Sequence, residues 1–204
     1  MALRDHSLDD KITKAAKSEF LDKGFEKASL RNIASKAGIT VGAIRTRYKT
    51  KDDLFYSLVE PLVDTIKEDF LQAEDDCFDV DLPTEDFLYS MDEGMEAESE
   101  MILNLLFEDY DMSVLLLCRS QGSQLENFFS QVVDKKFEET MSFLESIKFS
   151  KIDDDVIKML VNSQFKSYLD ILNEGYDYDK AMSLMKAAAT YHKGGWINIF
   201  EEGV

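Results

Sequence analysis

Apolar residues recur along this chain at three- and four-residue intervals almost throughout, and that period predicts a succession of amphipathic helices. Leu8, Ile12, Ala15, Ala16 and Phe20 form the first stripe, which predicts a helix from Ser7, with Asp10 as its capping-box partner, to Gly24. Leu30, Ile33, Ala34 and Ala37 form a second, opened by Ser29 as N-cap and stopped by Gly38. Thr40 opens a third helix, with Ile44 and Tyr48 on its inner face, and Thr50 with Asp53 opens a fourth. That fourth stripe (Leu54, Phe55, Leu58, Leu62, Val63, Ile66, Phe70) contains Pro61, which predicts a bend or break. An acidic stretch, Asp75 to Pro83, reads as a loop, and Thr84 as the cap of the next helix. Dense apolar positions then continue to Ile147, with interruptions expected near Gly94, Asp111 and Gly122-Ser123. Two further helices follow, Lys151 to Gly175 and one capped by Asp177. No strand-like alternation stands out, so the fold class predicted is all-α.

Between Ser29 and Lys51 (SLRNIASKAGITVGAIRTRYKTK) the pattern is that of a helix-turn-helix: two short helices, a glycine turn, and a small Ala34 where the helices cross. With Ile44 and Tyr48 turned inward, the outer face carries Val41, Ala43, Arg45, Thr46 and Arg47, with Lys49 and Lys51 just beyond. Arginines without a carboxylate among them suit phosphates and base edges, as expected of a helix that enters the DNA major groove. Lys51, in the first turn of the fourth helix, is expected to share a phosphate with that turn's backbone N–H groups.

Charge sharpens the division. The net charge is −18, yet residues 1–51 hold 12 Lys and Arg against 6 Asp and Glu, while the remainder holds 11 against 35. A basic head and an acidic body fit a chain that meets DNA at one end only. With two prolines and nine glycines in 204 residues, the composition is that of a helical protein able to bury a substantial core. The longest strictly apolar run, Val114 to Cys118, is too short to span a bilayer, and MALRDHSLDD lacks the apolar core of a signal peptide, so no membrane partner and a cytoplasmic location are expected. Cys77 and Cys118 have no spacing for a metal site or a disulfide framework. An enzyme is not expected. A carboxylate-bridged metal site needs Glu-x-x-His pairs, but Leu3 and Ala189 stand three residues before the two histidines. No phosphate-binding G-x-x-x-x-G-K-[ST] loop is present either, and no metal or cofactor is predicted.

The run from Ile12 to Leu54 resembles the N-terminal domain of the TetR/AcrR family of bacterial transcriptional regulators. The resemblance rests on Ala15-Ala16, Phe20, Gly24-Phe25, Ser29, Ile33-Ala34, Ala37-Gly38-Ile39, Gly42, Ile44, Tyr48, Lys51 and Leu54, in that order. It implies a three-helix DNA-binding domain over residues 1–50 and a larger helical ligand-binding and dimerisation domain over 51–204. Thr40, Gly42, Tyr48 and Lys51, helped by Arg47, are then expected on backbone phosphates, and Val41, Ala43, Arg45 and Thr46 on base edges. Arg45 stands where the family usually carries a tyrosine, and a guanidinium there suits guanine.

The resemblance also implies a homodimer on a palindromic operator in double-stranded DNA, and a small-molecule effector held among the body helices. Candidates for the effector site are the Met, aromatic and polar residues Met91, Met95, Glu108, Tyr110, Arg119, Gln121, Phe128 and Phe129. Candidates for the dimer interface, on the last two helices, are Leu160, Phe165, Tyr168, Leu172, Met185, Ala189 and Trp196. The function expected is a ligand-responsive regulator, most simply a repressor. The rival is a helical interaction module of the same fold whose acidic body binds a protein, with DNA binding secondary or lost.

Overall fold

The computed structural model describes residues 6–71, 85–149 and 152–202, with side chains described for residues 7–71, 94–149 and 152–200. The acidic loop 75–83, the Thr84 cap, Cys77, the Met91 side chain and the Lys151 helix start lie outside the described residues. Within them the chain forms nine α-helices: α1 (His6–Lys27), α2 (Leu30–Ala37), α3 (Val41–Arg45), α4 (Lys51–Ile66), α5 (Glu85–Glu108), α6 (Tyr110–Cys118), α7 (Phe128–Ser146), α8 (Asp154–Glu174) and α9 (Tyr178–Glu202). By contacts they fall into two compact units, Met1–Asp69 with Asp111–Phe129, and Phe70–Tyr110 with Ser130–Val204.

In the first unit the caps read from the sequence are in place. Ser29 accepts from the Asn32 amide at 3.1 Å, and Thr50 and Asp53 close a reciprocal capping box. Gly38 ends α2 in the left-handed region at φ 67°, where a side chain is disfavoured. At Gly24 the helix geometry does break, at φ 71°, but one more turn follows to Lys27, and the start is at His6 rather than Ser7. Pro61 lies inside α4 without ending it, and the irregularity comes afterwards, as a π-helical turn over Lys67–Leu71. Ile12, Ala16 and Phe20 of α1, Ile33 and Ala34 of α2, Ile44 of α3, and Leu54 and Phe55 of α4 share a core from which water is excluded. The rings of Phe20, Phe25 and Phe55 meet there with centroids 5.1–6.0 Å apart.

The same unit includes α6 and the segment after it. Met112, Val114, Leu115 and Leu116 are buried. The Phe25 amide donates to the Arg119 carbonyl at 2.8 Å, and the Gln124 amide to the Asp52 carboxylate at 2.9 Å. Gly24 adjoins this strand of contacts: a Cβ there would stand 3.8 Å from the Arg119 carbonyl oxygen.

The second unit is a set of long helices in which α5 packs most extensively on α9. Leu103 and Leu106 of α5, Val133 and Leu144 of α7, Val161, Phe165 and Leu172 of α8, and Met185 and Ala189 of α9 are buried within it. Gly94 does not interrupt α5; the helix runs on to Glu108 and breaks at Asp109. Asp153 caps α8 and Gly175 ends it at φ 72°, while Asp177 accepts from the Lys180 amide at 2.9 Å to open α9. Among the described residues no helix is long and apolar enough to cross a membrane.

Candidate nucleic-acid interface

The interface is built on a short helix. α3 has five residues, too few to persist alone, so its neighbours must hold it. Thr40 caps its start, with Oγ1 accepting from the Ala43 amide at 3.1 Å. Ile44 is its one fully buried side chain. At its end the Thr46 hydroxyl donates to the Gly42 carbonyl at 2.9 Å, and the Arg47 amide to the Ile44 carbonyl at 2.9 Å.

Of the residues expected to meet DNA, Thr40, Gly42, Arg45 and Thr46 are exposed, while Val41, Ala43, Arg47, Tyr48 and Lys51 are half-buried. Tyr48 therefore does not share the full burial of Ile44. At Gly42 an added Cβ would meet Thr40 Oγ1 at 3.7 Å, an ordinary contact, so packing within the chain does not demand glycine there.

Two of the three basic candidates are committed inside the protein. The Arg47 guanidinium donates through Nε to the Asp9 carboxylate of α1, and both side chains are largely buried, 17% and 18% exposed. The Lys51 ammonium donates to the carbonyls of Phe25, Glu26 and Ala28 at 2.6, 3.2 and 3.2 Å, and lies 4.1 Å from the Phe25 ring centroid. These carbonyls lie at and just past the end of α1, a natural site for a cation. A phosphate for Lys51 has to compete with those carbonyls, a cost that the motif alone did not reveal.

A second clamp escaped the sequence reading. Glu19 of α1 is 2% exposed and accepts from the Asn32 amide group at 2.9 Å and the Lys36 ammonium at 2.9 Å, both on α2. Burial pushes its pKa up, but the hydrogen bonds from Lys36 and Asn32 and the Lys36 charge outweigh this and hold it below the ordinary value. Its place was available in the pattern, since Glu19 stands seven residues after Ile12 and three after Ala16, on the buried stripe. Arg31 on α2 is an exposed cation of the same unit that the motif reading left aside, and Lys49 after α3 is exposed as well.

The proposed effector residues fall in both units. Met95, Glu108 and Tyr110 belong to the second unit, and Arg119, Gln121, Phe128 and Phe129 to the first. Tyr110 donates its hydroxyl to the Leu172 carbonyl at 2.7 Å, Glu108 and Gln121 are exposed, and Phe128 is core. Arg119 is half-buried and donates to the Cys118 carbonyl at 3.1 Å.

Of the dimer candidates, Phe165, Tyr168, Leu172, Met185 and Ala189 are buried in the single chain, while Leu160 and Trp196 are half-buried. The Tyr168 phenol is so desolvated that its pKa rises to about 12 despite a bond with Ser99. The apolar stripe marked the inward face. The outward one carries Val156, Met159 (62% exposed) and Tyr191 (78% exposed).

The likeness to known proteins follows the same division. Residues 12–58 match the family described as bacterial regulatory proteins, tetR family. Over nearly its whole length the chain also superposes on solved regulators. A TetR-like transcriptional regulator from Rhodococcus sp. RHA1 is 20% identical with a TM-score of 0.59, covering 95% of this chain and 100% of that one. NalD, the secondary repressor of the MexAB-OprM multidrug efflux pump in Pseudomonas aeruginosa, is 17% identical at 0.55, covering 92% and 96%. The regulator FadR of Bacillus subtilis, solved in complex with stearoyl-CoA, is 16% identical at 0.52, covering 92% and 98%. By these matches residues 12–58 are similar to the tetR family of bacterial regulatory proteins, and the chain as a whole has the fold of the solved TetR-type transcriptional regulators.

Proposed function

We propose that the protein is a ligand-responsive transcriptional regulator, acting in the cytoplasm as a homodimeric repressor on a palindromic operator, and not an enzyme. The observation that carries the reading is the outer surface of α3, where Thr40, Gly42, Arg45 and Thr46 stand exposed together on a capped helix. Glycine in a helix costs about 1 kcal/mol relative to alanine. At Gly42 that cost is explained by the close approach of a DNA backbone. Arg45 and Thr46 are the base-reading residues, with Val41 and Ala43 at the rim, and Thr40 and Tyr48 contact phosphate.

The partner helices are α8 and α9, through the face that carries Val156, Met159 and Tyr191 rather than the buried stripe. Gly194 and Gly195 support this assignment: a Cβ at either would meet nothing within 4 Å among the described residues, which leaves room for a helix of the second subunit. A twofold dimer presents two copies of α3 about one DNA turn apart, as a palindrome requires. The effector is a small molecule bound in the helical body. Its binding favours dimers whose α3 copies no longer match the operator spacing.

Selection of genomic fragments with the purified protein at two salt concentrations tests the reading. A short palindrome whose affinity falls steeply with salt is expected. Recovery of no sequence, by a folded dimer freed of small molecules, overturns it in favour of the interaction module. That rival gains from the internal commitment of Arg47 and Lys51, which removes two cations from the argument for DNA. Arg45→Glu separates the two, since a protein-binding body is indifferent to it.

A further inference from the structure

α3 is held at its start by the Thr40 cap and in its middle by Ile44, but no buried apolar side chain holds the turn that follows. Beyond its own backbone hydrogen bonds to Gly42 and Ile44, the tie that joins that turn to α1 is ionic. Arg47, two residues after the helix, reaches across to Asp9 in the first turn of α1, and the pair is largely withdrawn from solvent. A guanidinium bound to a carboxylate through Nε is fixed in direction as well as distance, because its planar N–H groups must point at the acceptor oxygens.

We propose that Asp9 is a positioning residue for DNA recognition. By pairing with Arg47 it withdraws that arginine from phosphate duty and pins the end of α3 to α1, so that Arg45 and Thr46 are presented in one orientation. Arg47 then contributes to operator affinity through the placement of its neighbours and not through its own charge. This rests on the proposed DNA-binding function, but the clamp itself is a property of the free protein.

The sign of one effect makes the idea testable. Asp9 is a negative charge in the DNA-binding unit, so simple electrostatics says that Asp9→Asn should tighten binding to any DNA. The clamp requires the opposite. The full-length protein and its Asp9→Asn, Asp9→Glu and Arg47→Gln variants are compared in two ways. Amide exchange over residues 42–48 reports the clamp without DNA. Affinity for the selected palindrome and for unrelated duplex, over a salt series, reports its use.

The expected result is that Asp9→Asn and Arg47→Gln each speed exchange in this segment by about tenfold or more, the size of effect that loss of a charged hydrogen bond brings. Both weaken palindrome binding more than unrelated-duplex binding, leave the salt slope unchanged, and Asp9→Glu recovers part of the loss. Arg47 is instead a phosphate ligand, and the proposal is overturned, if Arg47→Gln lowers the salt slope by about one or Asp9→Asn tightens palindrome binding. Unchanged exchange in both variants overturns it equally. If the wild type binds no DNA while the variants exchange faster, the clamp stands as a positioner of α3 and the DNA-binding function falls.

Discussion

Lys51 donates to the Phe25 carbonyl at 2.6 Å while its ammonium lies 4.1 Å from the centre of the same residue's ring. One phenylalanine thus receives the cation at both its backbone and its side chain, and Glu26 and Ala28 add two further carbonyls. The start of α4 is tied in this way to the end of α1. Replacing Lys51 by alanine removes the donor from all three carbonyls, and we expect a loss of about 1–3 kcal/mol in stability, read by chemical denaturation in the absence of DNA. A residue that served phosphate alone would leave that measurement unmoved.

Glu19 gives a pH-dependent prediction. Its carboxyl titrates below its ordinary value in the folded protein, so the unfolded chain binds the proton first as pH falls. The stability that Glu19 contributes is therefore complete above the unfolded value, near 4.5, and is lost as pH falls through the lower folded one. Glu19→Gln should be less stable than wild type by about 1–3 kcal/mol at neutral pH. The gap should narrow in denaturation curves taken below pH ~4. A gap that is constant with pH would assign the effect to packing.

Arg45 is the exposed arginine of α3. Arg45→Ala should cost about 1–3 kcal/mol of operator affinity and relax the preference at one operator position per half-site. Competition among single-position operator variants checks this. A loss shared evenly by all variants would move Arg45 from the bases to the phosphates.

Met159→Glu combined with Tyr191→Glu should yield a folded monomer, because both side chains are exposed in the single chain and the change reaches only an external partner. Sedimentation and circular dichroism together check it. Phe165→Ala should act differently, lowering stability by about 3–5 kcal/mol through a cavity in the chain's own core. If the double glutamate variant remains dimeric, the subunits meet on another face.

The chain's local features were legible because local rules govern them. Caps at Ser29, Thr40 and Thr50, the left-handed stop at Gly38 and the inward stripe of Ile33, Ala34 and Ile44 depend on residues within one helical turn of each other. The helix-turn-helix, and the all-α fold with it, followed from these alone. What periodicity could not say is which partner a face meets. Phe165, Met185 and Ala189 read equally well as dimer contacts or as core, and only their burial within one chain decided for core. Long polar side chains were less legible still. Arg47 and Lys51 look in sequence like ligands for phosphate, yet their partners, Asp9 and the Phe25 carbonyl, lie 38 and 26 residues away. A charge answers to whatever the fold brings within a few ångströms, and sequence spacing carries no record of that. The sequence by itself determined the helices, their caps and the basic character of the N-terminal end. The tertiary structure decided which cations α1 takes up and left Arg45 and Thr46 facing outward.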